Sequence, residues 1–250
     1  MSAATAVVVH AHPDDEAIFT GVTIHRLAER DVRVVLVTAT SGEAGEPRVA
    51  LRRGESMAAR RIRELEHACE LLGVARLVML GYEDSGAHRG PYRRASLGAA
   101  AADDVARRVA SVAEAEGASA VVHYDHQGIY GHVDHVQVHR AGALAAERLG
   151  ITGYEATVDG GAMRRMSARG YEHVLHAAAG HDAEVGVPGE AISLSVRATP
   201  GALAAKRAAM AAHRSQIGPA YVDEAGFEAG YGREWFVRRG TPGLLETTLN

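Results

Sequence analysis

One short stretch of the chain, His12-Pro13-Asp14-Asp15-Glu16, carries an imidazole and three carboxyl groups at nearly consecutive positions. It follows the apolar residues 6–9, a pattern typical of a buried strand, so the polar cluster is predicted to occupy a strand-to-helix turn. Imidazole and carboxylate side chains bind transition metals and transfer protons. The turn therefore concentrates groups that could bind a metal ion or act as an acid or base.

A second cluster, Gly131-His132-Val133-Asp134-His135, lies far along the chain after another predicted strand. His132 and His135 are three positions apart at a predicted helix start, which places them on one face. Asp134 lies between them and could orient a neighbouring imidazole, as carboxylates beside metal sites do. Two histidines near a helix start could instead bond only to water.

The first cluster has a plainer interpretation, which is helix capping. Pro13 suits the first turn of a helix, and the helix dipole favours Asp14, Asp15 and Glu16 there. A cap has no use for the imidazole of His12, however, and His12 and Asp15 are spaced to face one point. Taken together, the two clusters can close a two-histidine, one-carboxylate metal site with a spare carboxylate, the equipment of a metal-dependent hydrolase.

The composition limits the class of protein. With 250 residues, 47% of them apolar, the chain can bury one sizeable core, and we predict a single domain spanning residues 1–250. A formal charge of -4 argues against a nucleic-acid partner. Cys69 is the only cysteine, so no intrachain disulfide can form. Neither a signal peptide nor a membrane span is evident, and we expect a cytoplasmic protein.

Strand and helix patterns alternate along the first half of the chain. The predicted strands are Ala6–His10, Val32–Thr38, Arg76–Leu80 and Ala118–Tyr124, and the predicted helices are Glu16–Arg30, Glu55–Leu72, Leu97–Glu116 and His132–Leu149. This alternation predicts an α/β, Rossmann-like fold with a mostly parallel sheet and helices on both faces. The order of the strands stays open.

Beyond residue 150 the pattern is less regular. The predicted elements there are a strand over Ile151–Val158, a short helix over Gly161–Arg169, a strand over Ile192–Val196 and a helix over Pro200–His213. The segment from Ile217 onward is rich in glycine and aromatic residues. We expect this irregular C-terminal portion to pack on the body of the protein or to line a pocket.

Polar residues follow each of the four predicted strands of the first half. These clusters are His12–Asp15, Ser41–Gly45, Gly81–Gly86 and Asp125–His135. In open parallel sheets ligands bind beyond the carboxyl ends of the strands, so all four clusters are predicted to converge on one rim. Asp125 could either cap its own loop or line that rim.

The two histidine-bearing motifs resemble those of the LmbE-like, or PIG-L, zinc-dependent N-deacetylases. That family includes enzymes that deacetylate N-acetylglucosaminyl groups in phosphatidylinositol anchor, mycothiol and bacillithiol biosynthesis. Further segments similar to the family are Thr40–Gly45, Arg61–Leu65, Leu72–Val74, Lys206, His213–Gln216 and Glu234–Phe236. The resemblance covers most of the chain and implies a Rossmann-like hydrolase.

Some positions depart from the family pattern. Val133 replaces the usual proline of the second motif, which we expect to alter only the turn. The stretch Gly81–Gly86 is similar to the actinobacterial mycothiol branch, but Glu83 and Ala87 stand where that branch has arginine and methionine. An amidase acting on mycothiol-type conjugates, or a deacetylase that tailors a natural product, therefore stays an alternative.

The resemblance also implies a role for each site residue. It implies that His12, Asp15 and His135 bind zinc, with iron as the alternative metal. Asp14 would be the general base, and His132 would stabilise the oxyanion or protonate the leaving amine. Asp134 would be a further catalytic residue. The substrate, a small molecule containing an amino sugar, would be placed by Arg61 and Glu43. Asp84 lies in a sequence typical of a turn and could also contact the sugar.

Two other classes of protein share part of this pattern. Mononuclear iron oxygenases also use two histidines and one carboxylate, but an oxygenase does not need a hydrolytic base such as Asp14. An accessory protein could keep the fold without turnover, although intact Asp14 and His132 argue against this. A homo-oligomer is compatible with the sequence.

Overall fold

The computed structural model of the protein describes residues 4–86, 93–165 and 184–249. The strands within these ranges form one sheet with the order β3-β2-β1-β4-β5-β7-β6. They are β1 (Thr5–His10), β2 (Arg33–Thr40), β3 (Arg76–Tyr82), β4 (Ala120–Tyr124), β5 (Thr152–Thr157), β6 (Leu194–Arg197) and β7 (Arg233–Arg239).

Helices pack around this sheet in two groups. The helices are α1 (Asp15–Phe19), α2 (Gly21–Ala28), α3 (Met57–Leu72), α4 (Ala102–Ala115), α5 (Gly128–Gly131, a single distorted turn), α6 (Val133–Leu149), α7 (Gly160–Arg165), α8 (Pro200–Ala212), α9 (Glu224–Tyr231) and α10 (Leu244–Leu249). Helices α2, α3 and α8 contact one another, and α4 contacts α6. In the ranges that the structure describes, no helix is long and apolar enough to cross a bilayer.

Strands β1 to β5 are parallel to one another, and β7 and β6 extend the sheet in antiparallel pairs. All of β1 is buried, between β2 and β4 in the sheet, as expected for a strand covered on both faces. The prediction of a mostly parallel α/β sheet is confirmed. The carboxyl ends of the parallel strands meet at one edge, and the polar loops project there.

The predicted helix over Glu16–Arg30 is wrong in one respect, because it is divided between α1 and α2 at Thr20. A second helix start leaves backbone amides without helical partners. Here the two carboxylate oxygens of Glu234 accept hydrogen bonds from the amides of Val22 and Thr23, each at 2.8 Å. A residue more than two hundred positions away thus provides the cap. Similarly, the predicted helix over 97–116 consists of a short 3-10 turn followed by α4.

The C-terminal portion is more regular than predicted, because β7 lies between β5 and β6. Phe236 in β7 is fully buried and lies opposite Ala156 of β5. Burial of this aromatic side chain stabilises the packing of β7 against the rest of the sheet. Of the predicted helix over 161–169, the part up to Arg165 belongs to α7, and residues 166–169 lie outside the described residues.

Candidate active site

The turn after β1 separates two adjacent carboxylates. Asp14, the residue before α1, has φ 115° and ψ -28°, a backbone conformation that costs a non-glycine residue on the order of 1–3 kcal/mol. The Asp14 amide donates to Glu16 Oε2 at 2.9 Å. The Asp14 carboxylate lies 3.2 Å from Arg61 Nη2, whereas Asp15 Oδ2 accepts the amide of His12 at 2.8 Å. The two carboxylates therefore face different partners.

Three donor atoms meet on the other side of this turn. His12 Nδ1 lies 3.4 Å from Asp15 Oδ2, and His135 Nε2 lies 3.4 Å from the same oxygen. The two nitrogens are 3.3 Å apart. Ligands held at about 2.0–2.1 Å around a tetrahedral metal ion are about 3.3–3.4 Å from one another. The three atoms, which we call the donor triangle, have the spacing of one face of such an ion's coordination shell.

The hydrogen bonds of the two histidines determine which nitrogen of each neutral ring can bind a metal ion. His135 Nδ1 lies 3.2 Å from the carbonyl oxygen of Gly128, which can only accept, so Nδ1 carries the proton and Nε2 is bare. His12 Nε2 lies 3.2 Å from Asp134 Oδ2 and 3.5 Å from Asp84 Oδ1. In the neutral ring the proton is therefore on Nε2, which leaves Nδ1 bare. Both bare nitrogens belong to the donor triangle.

Electrostatics around His12 favour a positive charge. Burial lowers its pKa, but the carboxylates of Asp84, Asp134 and Asp15 outweigh burial and hold the pKa well above the usual value. Within the described ranges, His12, His132 and His135 form one group that could hold a metal ion, and His12, Asp84 and Asp134 form another. A cation in the donor triangle would replace the extra proton that these carboxylates attract.

Asp134 is fully buried and contacts Nε2 of His12, the ring nitrogen outside the donor triangle. Besides His12 Nε2, its carboxylate accepts the Ser85 amide at 2.9 Å and the Ser85 hydroxyl at 2.5 Å. The sequence placed Asp134 beside a histidine but did not single out Ser85 as its support. The sequence shows a serine in the polar loop after β3, but it does not show that this serine contacts a residue forty-nine positions away.

His132 has the same tautomer as His12, but its unprotonated nitrogen is occupied by a backbone amide. It precedes α6, and its Nδ1 accepts the amide of Asp134 at 3.2 Å. The neutral ring therefore carries its proton on Nε2 and can donate from there. Burial lowers the pKa of His132 to about 3, and His12 and His135 act in the same direction. The His132 ring packs edge-on against that of His12, with centroids 4.8 Å apart.

The guanidinium of Arg61 contacts the Asp14 carboxylate and two backbone carbonyl oxygens. Besides Asp14, its guanidinium donates to the carbonyl oxygen of Gly42 at 2.9 Å and to that of Pro13. Gly42 has φ +65°, and a Cβ there would collide with the guanidinium. Burial raises the pKa of Asp14 to about 6, and Arg61 opposes that rise. The structure thus brings Arg61 to the site as a support of Asp14.

Glu43 and Asp84 join two loops at the rim. Glu43 is exposed, and its Oε1 accepts the Asp84 amide at 2.9 Å. Burial acts to raise the pKa of Asp84, but nearby His12 lowers it well below its usual range. Glu83, beside them, lies 3.8 Å from Arg93 in an ion pair. Ala87 lies outside the described residues.

Two tyrosines contact the proposed metal-binding residues, and the sequence alone does not predict either of them. The Tyr124 hydroxyl donates to Asp15 Oδ2 at 2.7 Å and accepts the Ala11 amide at 2.9 Å. Its ring stacks on His135 with centroids 4.2 Å apart and planes 5° from parallel. The Tyr130 hydroxyl lies 3.4 Å from His135 Nε2. Aromatic residues on a strand or loop give no signal of such contacts.

Asp125 caps the loop that presents the second motif. Its Oδ1 accepts the Ile129 amide at 2.8 Å, and its Oδ2 accepts the Thr157 hydroxyl at 2.5 Å. Ile129 has φ 67°, an unusual value for a branched side chain. The buried carboxylate therefore stabilises a strained loop beside His135.

The sequence matches a protein family and also individual named proteins. Residues 7–146 match the family PIG-L, described as GlcNAc-PI de-N-acetylase. Two relatives, from Kineococcus radiotolerans and Salinispora arenicola, are both named 1D-myo-inositol 2-acetamido-2-deoxy-alpha-D-glucopyranoside deacetylase. The first is 41% identical over 66% of this chain and 50% of its own length. The second is 36% identical over 84% of this chain and 75% of its own length. The chain thus spans only half of the first relative.

Solved structures share the fold at low identity. The N,N'-diacetylchitobiose deacetylase from Pyrococcus horikoshii has a TM-score of 0.57 and 20% identity, over 95% of this chain and 84% of that one. The 4-carboxy-2-hydroxymuconate hydratase from Pseudomonas putida has a TM-score of 0.62 and 20% identity, over 96% and 99%. Because these two proteins carry out different reactions, this likeness shows the fold alone.

The family match covers more than half of the chain and includes both histidine-bearing motifs. The relative from Salinispora arenicola extends the similarity to most of the sequence. The sheet, the polar rim and the histidine group that could hold a metal agree with this match. The chain belongs to the PIG-L family of GlcNAc-PI de-N-acetylases.

Proposed function

We propose that this protein is a metal-dependent hydrolase that removes an N-acetyl, or another N-acyl, group from a small molecule containing an amino sugar. The observation that carries the proposal is the donor triangle of His12, Asp15 and His135, with the separate carboxylate of Asp14 in the same turn. The names of the relatives support the reaction and the class of substrate.

The proposed metal is zinc, with iron as the alternative. The donor set fits zinc, because two bare imidazole nitrogens and one carboxylate oxygen lie at tetrahedral spacing. Zinc bound there would supply Lewis acidity, which makes water acidic near neutral pH and polarises an amide carbonyl. Three protein ligands leave a position open, as catalytic zinc sites require. His132 is proposed to stay outside the ligand set because its Nδ1 accepts a backbone amide and its Nε2 carries the proton.

Asp14 is the proposed general base. It is buried, and its pKa of about 6 leaves it largely ionised near neutral pH yet able to take a proton. Arg61 holds its carboxylate through the contact at 3.2 Å. In the proposed reaction, Asp14 removes a proton from water as the water oxygen attacks the acetamide carbon. The same proton is then available for the leaving amine.

His132 is the proposed donor to the oxyanion that forms during attack. Its Nε2 proton is set by the hydrogen bond that Nδ1 accepts from the Asp134 amide. Loss of one such donor typically reduces the rate by about 10²–10³. Asp134 is proposed to act through His12, as an orienting carboxylate that fixes the imidazole and its tautomer.

The experiment that tests the function is a panel of N-acetylglucosaminides, including inositol-linked and lipid-linked ones. Zinc-loaded protein should release acetate and free amine in equal amounts, and a chelator should stop the release until zinc is returned. Release that persists without oxygen contradicts the oxygenase interpretation. If protein with stoichiometric zinc cleaves no member of the panel, the proposed substrate class is wrong.

Within the panel, we expect the inositol-linked compound to react best, because both relatives are named for an inositol-linked acetamido sugar. Exposed Glu43 and the neighbouring Asp84 are proposed to contact the sugar at the rim. Preferred cleavage of a mycothiol-type conjugate, or of a glycosylated natural product, would favour one of the alternative substrates. A single domain over 1–250, a cytoplasmic location and a homo-oligomer stay predictions.

A further inference from the structure

Two buried side chains, those of Glu16 and His213, restrain the strained turn at Asp14. Glu16 and His213 are both 0% exposed. Glu16 Oε1 lies 2.6 Å from His213 Nε2, and Glu16 Oε2 accepts the Asp14 amide at 2.9 Å. One carboxylate therefore connects the backbone of Asp14 to a histidine nearly two hundred positions away.

The direction of each hydrogen bond in this connection is fixed by chemistry. A carboxylate only accepts, so His213 Nε2 must donate to Glu16. That hydrogen bond occupies one oxygen of Glu16 and fixes the rotation of its carboxyl group. The other oxygen then faces the Asp14 amide. Without His213, the carboxylate could rotate and release the amide.

The backbone of Asp14 requires such a restraint. Its φ of 115° lies outside the regions that ordinary residues adopt, and such conformations persist only where the surroundings enforce them. Arg61 restrains the side chain of Asp14 at 3.2 Å, whereas Glu16 restrains its amide. A relaxed φ would rotate the carboxylate away from the position that it holds beside Asp15.

The position of His213 is itself well anchored. It follows the last residue of α8. In the next segment, the amide and the hydroxyl of Ser215 donate hydrogen bonds to Glu64 of α3, at 3.1 and 2.6 Å. The imidazole thus reaches Glu16 from a fixed helix end. Glu64 provides a comparison, because it is also a buried carboxylate but contacts the segment two residues beyond His213.

We propose that Glu16 and His213 form a positioning pair, which keeps Asp14 in its strained turn and its carboxylate next to the metal donors without joining them. Neither residue needs to contact the substrate. This inference rests on the proposed function, in which Asp14 is the base. It assigns the C-terminal histidine a part in the geometry of the N-terminal motif.

The test compares three variants of the whole protein. Glu16→Gln and His213→Phe should each lower kcat by about 10–100-fold, with KM and zinc content nearly unchanged, because a displaced base slows chemistry and leaves binding intact. His213→Gln keeps an N–H that can donate to Glu16, so it should retain most of the wild-type kcat. The double variant should be no slower than the slower single variant.

A second readout does not depend on activity. Hydrogen exchange of the Asp14 amide, followed by NMR, should be slow in the wild type and in His213→Gln, and at least tenfold faster in Glu16→Gln and His213→Phe. If no substrate is cleaved, the proposed function fails, but the exchange rates still test the pair. Unchanged exchange in both damaging variants would overturn the positioning pair.

Glu64→Gln is the matched control. One oxygen of Glu64 accepts both the amide and the hydroxyl of Ser215, so the glutamine oxygen can keep the anchor of His213 while the charge is removed. We therefore expect kcat within about threefold of the wild type and slow exchange at Asp14. An equal loss of kcat in Glu64→Gln and Glu16→Gln would mean that loosening of the C-terminal segment is responsible. That result would contradict the proposal.

Discussion

Asp14 and Asp15 are neighbours in sequence, yet their environments give them opposite properties. Burial disfavours the charge of both. For Asp15, the nearby His135 and His12 outweigh burial and hold the pKa well below the usual range. For Asp14, burial prevails over the influence of Arg61 and raises the pKa to about 6. One carboxylate is thus suited to bind a cation, and the other to exchange a proton.

This difference predicts different effects of substitution. Asp14→Asn should lower kcat by about 10²–10⁴ while zinc content stays at the wild-type level, because Asp14 is not in the donor triangle. His135→Ala should instead lose the metal, because it removes one of the three donors. Steady-state kinetics and elemental analysis of purified protein measure the two effects. Full activity of Asp14→Asn would show that another group is the base.

At the scale of single residues, the sequence identified the groups but not their protonation. Spacing alone showed that His12 and Asp15 could face one point. It could not show which nitrogen of His12 carries the proton, because that depends on Asp134 and Asp84. A partner distant in sequence sets the tautomer of His12. The proposed ligands differ from the proposed donor, His132, because the unprotonated nitrogen of His132 already accepts a backbone amide.

At the scale of elements, the break between α1 and α2 depends on a buried ion pair. Lys206 Nζ lies 2.7 Å from Glu234 Oε1 and also donates to the carbonyl oxygen of Ile18 at 2.7 Å. The carboxylate of Glu234 caps the amides at the start of α2. Burial lowers the pKa of Lys206, and Glu234 opposes that effect. The pair joins α8 and β7 to the helix that follows the first motif.

Loss of the lysine should therefore destabilise the protein strongly. Lys206→Met leaves the Glu234 carboxylate buried without its cation, and we expect the free energy of unfolding to fall by about 3–5 kcal/mol. Urea unfolding measures the change. Arg107→Met is the control, because Arg107 pairs with Asp103 on the exposed face of α4 and its loss should cost less than about 1 kcal/mol. Equal effects of the two substitutions would contradict this view of the buried pair.

At the scale of the whole molecule, a buried histidine makes stability depend on pH. His123 in β4 is 0% exposed, and its Nδ1 donates to the carbonyl oxygen of Tyr124 at 2.9 Å. A Cβ on Gly142 of α6 would lie 2.5 Å from the His123 ring, so the helix packs directly on it. Burial lowers the pKa of His123 from 6.5 to about 3, and nearby His139 acts in the same direction.

The sign of the pH effect follows from this lowered pKa. Below pH 6.5 the unfolded chain binds a proton at His123 that the folded protein does not, so stability falls as the pH falls from 6.5 towards 3. At about pH 5 the loss should be roughly 2 kcal/mol. His123→Asn removes the titrating ring and should reduce the difference in stability between about pH 7.5 and 5 by that amount. Urea unfolding at both pH values measures it, and an unchanged difference would mean that His123 is not responsible.

Much of the architecture was predictable because hydrophobic periodicity is a local property. Strands β1 to β5 and helices α3, α4, α6 and α8 follow from patterns within ten to twenty residues. Strand β7 was missed, because its place between β5 and β6 depends on pairings such as Ala156 with Phe236. The division at Thr20 was missed for the same reason, since its cap comes from Glu234.

By itself, the sequence determined which chemical groups stand at the strand ends, that a parallel sheet would bring those ends together, and the family to which the motifs belong. Only the tertiary structure decided the strand order, the tautomers of His12, His132 and His135, and the support of Asp14 by Glu16 and Arg61. The physical reason is range. Periodicity and turn chemistry act between neighbours in the chain, whereas the hydrogen bonds that fix the His12 ring and the Glu16 carboxylate come from residues 122 and 197 positions away.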